Sequence, residues 1–235
     1  MVSPAGIVTG LVHEAEIARR ASGNRHQVLC LGPGPDRAAA AAEQLAARGA
    51  RLLLSLGVAG GLDGADVPGT LLVPETVIDG VSGQPYPADD ALATCIRSAL
   101  LSRPDIGRTV TAPLVTSREP ITGISHKQQL KQRFMAAAVD MESAAVARVA
   151  QAHGLPFVAL RVVLDSGDMH IPPAAMAGMR DDGRTDIFGT LRALITRPQD
   201  LPALFVLGKA DARARRALAG LAQIGLGAVE QCDLA

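Results

Sequence analysis

The sequence predicts an α/β fold, a central mixed sheet covered by helices on both faces in three layers. Three observations carry that prediction. Apolar runs of strand length alternate along the chain with Ala-rich runs of helical period. Glycines cluster where strands pass into helices or turns, at 32–34 and 57–61. The length of 235 residues suits one domain, 1–235, in which 171–235 form a helical C-terminal region.

Residues 5–11 (AGIVTGL) predict a first strand that breaks at Gly10. The helix behind it carries His13, Glu14, Glu16, Arg19 and Arg20. Glu14 reads either as a carboxylate at a helix start or as one facing a site at the strand's end. A second strand over 26–31 ends in Gly32-Pro33-Gly34-Pro35, ahead of a helix over 36–47 closed by Gly49. That loop could offer bare N–H groups to an anion. Two prolines remove donors, however, and the spacing is neither a P-loop nor a dinucleotide fingerprint. A third strand over 51–55 runs into Gly57-Val58-Ala59-Gly60-Gly61. This stretch is either a tight corner or backbone that lets a ligand approach closely.

A turn at Asp66, Pro68 and Gly69 leads to a strand over 70–77, then a loop over 79–90 and a helix over 89–102 ended by Pro104. Residues 109–116 predict a strand from their β-branched side chains, and 117–121 a loop. A polar helix follows over 125–133, where Lys127, Lys131 and Arg133 read as a solvated face. The next helix, 143–153, is stopped by Gly154 and Pro156. Ahead of it stand Asp140, Met141 and Glu142; after it comes a buried strand over 157–164, interrupted by Arg161 and ended by Asp165.

Glu142 falls in the helix's first turn, where the macrodipole favours an anion. Asp165 falls at a strand's C-terminal end, where α/β sheets place ligands. Arg161 needs a partner if it is buried. Pattern alone is also satisfied by an ordinary strand–helix–strand unit with a capping Glu and a turn Asp. Beyond Asp168, Pro172-Pro173 and Asp181-Asp182-Gly183 punctuate a loop. Helices then follow over 185–195, 198–207 and 209–224. Leu191, Leu194, Ile195, Leu201, Leu204, Phe205, Leu218 and Leu221 recur at helical spacing, and Arg213, Arg215 and Arg216 crowd the last helix.

Composition narrows the function classes. Net charge is zero and aromatics make up 2% with no Trp, which argues against nucleic-acid partners. The His residues show no metal-binding pattern, so no metal and no cofactor is expected. Cys30, Cys95 and Cys232 lack close pairing and read as reduced thiols of a cytoplasmic protein. No signal-peptide pattern and no transmembrane-length apolar run is expected.

VDMESAAVA followed by LPFVALRVVLD resembles the signature of the nucleoside phosphorylase and nucleosidase superfamily, as does SLGVAGGL with VPGTLLVPE. The resemblance implies a phosphorylase-like fold and a homodimer. It implies that Met141 and Glu142 hold a ribose and that Asp165 faces the purine as general acid. It also places Val58 and Gly60 beside the sugar and nucleophile, and Pro120 and Ile121 beside the base. GLVHEAEIAR, AGGLDGADVPG, DSGDMHIPPAA and RPQDLPALFVLGKADARARRAL together resemble the hopanoid-associated phosphorylase branch. The implied substrate is adenosylhopane, from which adenine is cleaved, with inorganic phosphate as co-substrate. The C-terminal helices would then shape an apolar channel or a membrane-facing patch, giving peripheral contact on the cytoplasmic side.

One departure bears on the nucleophile. Phosphorylase relatives place phosphate-binding Arg, Arg and Ser or Thr where this chain has Glu14, Ser55 and Val58. Two arrangements stay open. Phosphate could bind through the amides of Gly10 and Gly57, Ser55 Oγ and Arg161. Alternatively, Glu14 turns inward and activates water, as in hydrolytic nucleosidases. The branch resemblance implies phosphorolysis. A methylthioadenosine/S-adenosylhomocysteine nucleosidase and a catalytically inactive nucleoside binder are the alternatives.

Overall fold

The computed structural model describes residues 5–232 except 179, 181 and 185, without the side chains of 187, 188, 189 and 191. Asp181, Thr185 and the Leu191 side chain therefore lie outside the described residues. The elements run β1 (Ala5–Thr9), α1 (Val12–Ser22), β2 (Gln27–Cys30), α2 (Pro35–Ala47), β3 (Leu52–Gly61), β4 (Leu71–Leu72), β5 (Thr76–Asp79), β6 (Pro85–Pro87) and α3 (Asp90–Leu101). After a 3-10 turn at Pro104–Ile106 come β7 (Thr109–Val110), β8 (Leu114–Thr116), α4 (Ile124–Phe134), β9 (Ala138–Asp140), α5 (Ser143–Ala152) and β10 (Phe157–Asp165). The chain continues through α6 (Pro173–Met176), α7 (Ile187–Thr196), a 3-10 turn at Pro198–Asp200 and α8 (Leu201–Cys232).

The strands form one mixed sheet in the order β6-β5-β8-β9-β3-β10-β4-β7, with β1 beside β3 and β2 beside β1. Successive side chains of a strand face opposite ways, so the unbroken apolar run of β3 feeds two cores. Leu54 and Leu56 join Ala18 of α1, Ile96 of α3, and Leu218 and Leu221 of α8 on one face. Leu53 joins Leu45 of α2 and Val146 and Val149 of α5 on the other. The expected three layers are present.

Several boundaries differ from the sequence reading, each for a physical reason. The glycine run 57–61 is strand, not a corner, because β10 pairs with β3 along its whole length, from Phe157↔Leu53 to Asp165↔Gly60. The expected strands over 70–77 and 109–116 are each split in two, at Pro74 and Pro113, since proline cannot donate to the ladder. The loop over 79–90 contains β6, which closes a hairpin on β5. The two helices expected over 198–224 are one, because Gly208 stands in open space and Ala-rich turns carry the helix through it. Cys95 and Cys232 are not free thiols but a disulfide across 137 residues, joining α3 to the end of α8; only Cys30 of the three is free.

The topology opens a gap at the middle of β3. β1 covers one edge of β3 as far as Val8↔Ser55. β9, antiparallel, covers the same edge from Gly60↔Val139 onward. Between them, residues 56–59 have no strand partner on that edge. The C-terminal ends of β1 and β9 point toward each other across the gap, and β10 closes the far edge. Such breaks in strand order are where α/β sheets leave crevices for ligands.

Candidate active site

Glu14 fills the gap. It lies in the first turn of α1 and is buried. Its Oε2 accepts from Gly10 N at 3.1 Å and Leu11 N at 2.9 Å, and its Oε1 accepts from Val58 N at 2.9 Å. Val58 N is an edge donor that no strand meets, so the carboxylate takes the place of a strand. Gly57 has to be glycine here, because a Cβ would lie 2.7 Å from Glu14 Oε1. Burial pushes the Glu14 carboxyl up; the positive charge of Arg161 and the three N–H groups pull it back only in part.

Glu142 meets the same gap from the β9 side. It is the residue before α5 begins, one position short of the expected first turn. Oε1 accepts from Gly34 N at 3.0 Å and Oε2 from Met141 N at 3.3 Å. The Gly32–Pro35 loop thus does use a bare amide, but on a protein carboxylate. Burial and the neighbouring Asp140 raise the Glu142 carboxyl to about 7, against the expectation of a fully ionised group. Gly10 separates the two glutamates, and a Cβ on it would lie 2.8 Å from Glu142 Oε1.

Arg161 takes a different partner from those expected. Its Nε and Nη2 donate to Asp140 Oδ2 at 2.9 and 2.7 Å, and Nη2 also donates to Ser55 Oγ at 2.7 Å. Glu142 Oε2 is more distant, at 3.8 Å. Asp140 in turn accepts from Thr116 Oγ1 at 2.6 Å and from Ser143 N at 3.0 Å, capping α5. This buried network neutralises Arg161 and holds Ser55, whose hydroxyl also receives that of Ser143 at 3.1 Å. Three of the four groups offered for phosphate are therefore engaged within the protein. Gly10 N donates to Glu14, Gly57 lies against the Glu14 carboxylate, and Ser55 and Arg161 bond to each other. None of Ser55, Gly57 and Arg161 lines the cavity described below.

Asp165 ends β10 beyond a bulge between Val163 and Asp165. The bulge breaks the strand's alternation, and Leu164 and Asp165 both face the cavity. The Asp165 carboxylate rests against Gly60, where a Cβ would lie 3.5 Å from Oδ1. Burial pushes its carboxyl up, while Lys127 pulls it down. Lys127 is the main correction to the sequence reading. It is not on a solvated face but 0% exposed, with Nζ in contact with Asp165 Oδ2. The signal was present: Ile124, Lys127, Leu130 and Phe134 recur at helical spacing, which puts Lys127 on the apolar stripe of α4. Lys131, by contrast, is part-exposed and pairs with Asp63 at 2.6 Å.

One cavity of about 370 Å³ gathers these groups. Gly10, Glu14, Val58, Gly60, Pro120, Ile121, Met141, Glu142 and Asp165 all line it. Its far wall is apolar, built from Leu164, Ile171, Met176, Leu204 and Leu207, with His13, Asp211 and Arg215 beyond. His13 was not singled out for the site; burial, then Arg215, lower its imidazole to about 4, so it is neutral. The loop before α7 packs over the β1–α1 junction, where Val12 N donates to Gly183 O at 3.0 Å.

A family model described as Phosphorylase superfamily matches residues 7–196. No curated relative matches the chain. Among solved structures, a 5′-methylthioadenosine/S-adenosylhomocysteine nucleosidase from Colwellia psychrerythraea 34H in complex with adenine is similar, with a TM-score of 0.71 and 17% identity, over 99% of this chain and 96% of that one. The corresponding nucleosidase from Neisseria meningitidis, bound to methylthio-immucillin-A, gives 0.68 and 18% over 94% and 99%. Futalosine hydrolase of Helicobacter pylori gives 0.66 and 18% over 84% and 99%.

Proposed function

This chain belongs to the phosphorylase superfamily, and from that premise we propose that it hydrolyses the N-ribosidic bond of an adenine nucleoside with a large apolar 5′ substituent. An adenosyl-hopanoid such as adenosylhopane is the substrate of this reading; adenine and a ribosyl-hopanoid are its products. One observation carries it. Asp165, Met141, Glu142 and an inward-turned Glu14 face a single cavity that continues along Ile171, Met176, Leu204 and Leu207.

Breaking the C1′–N9 bond builds positive charge on the sugar and negative charge on the purine. Asp165 donates a proton to N7, while its other oxygen accepts from the exocyclic 6-amino group, a pairing that selects adenine over a 6-oxo purine. The adenine held by the Colwellia relative supports that preference. Glu142 accepts from the ribose hydroxyls and Met141 packs on the sugar. Glu14 has one acceptor position on Oε1 beyond its Val58 bond, and it takes the proton of the attacking water. Water is favoured over inorganic phosphate. Gly10 N, Ser55 and Arg161 are engaged within the protein, and a dianion beside Glu14 would be repelled by several kcal/mol, on the order of the Coulomb energy of close, poorly solvated charges.

Peripheral contact with a lipid surface goes with this reading. The outer side of the helix segment that walls the cavity exposes Leu201 (58%), Phe205 (68%) and Val206 (53%). Among the described residues no helix is long and apolar enough to cross a membrane. The test is adenine release from adenosylhopane and from methylthioadenosine, each with and without isotopically labelled phosphate. The reading expects faster release from the lipid, no phosphate requirement and free ribosylhopane. Label in the sugar product would establish phosphorolysis instead. A preference for methylthioadenosine would replace the lipid, and no release from either would leave a nucleoside binder.

A further inference from the structure

Lys127 is unexplained by the reading above. Its side chain is 0% exposed, on a helix whose other charged groups face outward. Nζ donates to Asp165 Oδ2, to Ser166 O at 2.8 Å and to Met169 O at 2.9 Å, so all the protons of an ammonium have acceptors. The arrangement creates a difficulty for a general acid. A cation in contact with a carboxylate favours its ionised form, yet Asp165 has to deliver a proton. Asp165 is itself 1% exposed, so bulk water does not supply that proton directly.

We propose that Lys127 is the proton store of the reaction, passing a proton through the Asp165 carboxyl to the departing purine. The inference rests on Asp165 acting as the acid. As the C1′–N9 bond breaks, its electron pair moves onto the purine and N7 becomes more basic. N7 takes the proton from the Asp165 carboxyl, and Asp165 Oδ2 takes one from Lys127 Nζ. Water bonds to C1′ and gives its proton to Glu14. The turnover ends with neutral adenine, a ribose hydroxyl, a neutral Lys127 amine and a protonated Glu14. Once product leaves, the Glu14 proton is lost to the emptied cavity and one returns to Lys127 through Asp165, which lines that cavity, so the enzyme is restored with no net change. The contact thus joins acid strength to charge development: the shift of protons from Nζ to Oδ2 and from the carboxyl to N7 becomes favourable only when the purine turns negative. Lys127 acts through Asp165 and is a positioning residue in this scheme.

A purely structural role is the alternative, because the same Nζ ties down the backbone at residues 166 and 169. Two substrates separate the roles. Adenosine or methylthioadenosine needs its leaving group protonated, whereas 4-nitrophenyl riboside leaves as a stable phenolate without an acid. Lys127→Met is expected to lose about 10²–10³-fold in adenine release, the range of a positioned proton transfer, with nitrophenolate release nearly unchanged. Lys127→Arg keeps a cation and the carbonyl contacts but does not give up a proton at neutral pH. It should fail on adenine release as the Met variant does, and it decides the question alone if the Met variant does not fold. Asp165→Asn is the reference for the same substrate selectivity. Equal losses on both substrates, or rescue of adenine release by Arg, would overturn the proposal in favour of a tether. A wild-type enzyme that releases nitrophenolate but no adenine from any nucleoside would instead refute the proposed function.

Discussion

Replacing Glu14 with Gln changes one oxygen for an NH₂ group, at a site where both oxygens are used. Gly10 N and Leu11 N reach Oε2, and Val58 N reaches Oε1, at 3.1, 2.9 and 2.9 Å. A glutamine has one acceptor oxygen. If that oxygen keeps the Gly10 and Leu11 donors, its NH₂ group is left facing Val58 N–H, donor against donor. Strand β3 has no partner on that edge to take over. One buried amide without an acceptor costs about 1–3 kcal/mol. For a chain of this size, about 2 kcal/mol lowers Tm by roughly 4–8 °C. Turnover has a separate expectation: without a base the water is not activated, and adenine release should fall at least ~10²-fold. Adenine binding at Asp165 should be retained. Thermal unfolding, isothermal titration with adenine and an adenine-release assay read the three effects independently. Near-normal turnover in a folded Gln variant would refute Glu14 as the base, and an unchanged Tm would refute the three-donor geometry.

Asp165→Asn should fold and lose at least ~10²-fold in adenine release; turnover near wild type in the same assay would remove it as the acid. Glu142 makes stability and activity respond to pH in opposite directions. Its folded pKa of about 7 exceeds the ordinary carboxylate value of 4.5, so between the two the folded protein holds a proton that the unfolded chain has lost. That contribution, at most about 3 kcal/mol, is complete below about pH 4.5 and is lost as pH rises through about 7. A ribose clamp needs the carboxylate, so kcat/KM should instead fall as pH drops below about 7. Glu142→Gln should flatten this part of the urea-denaturation profile; a profile identical to wild type would show that another group titrates. Liposome flotation should recover the protein with anionic vesicles and lose it on Phe205→Asp, and absence of binding to any vesicle would leave the exposed α8 residues without a lipid role.

What was legible in the sequence was local. The ends of β1 and β10, the start of α5 and the stop at Gly154 and Pro156 are set by residues within a few positions of one another, so Glu14, Glu142 and Asp165 could be placed at element ends before any tertiary contact was known. What was not legible depended on partners far along the chain. Asp140 and Arg161 are 21 residues apart, Lys127 and Asp165 are 38 apart, and Cys95 and Cys232 are 137 apart. Charge patterning alone sent Lys127 to the surface, although its place on the Ile124–Leu130 stripe pointed inward.

The nucleophile shows the same limit most clearly. In one of the two arrangements open from the sequence, the amides of Gly10 and Gly57 bind phosphate, and the glycine pattern fits it. The structure gives these positions a different reason to lack a side chain. At Gly57 the space is occupied by the Glu14 carboxylate, and at Gly10 by that of Glu142. The orientation of Glu14 follows from the interval in β3 between the last residue paired to β1 and the first paired to β9. That interval is a property of register, which no local motif encodes. Extending β9 pairing toward Val58 would set Met141 opposite it, since Val139 already faces Gly60, and would compete with Glu14 for the same N–H; it is expected to turn the carboxylate out of the cavity, read as loss of adenine release.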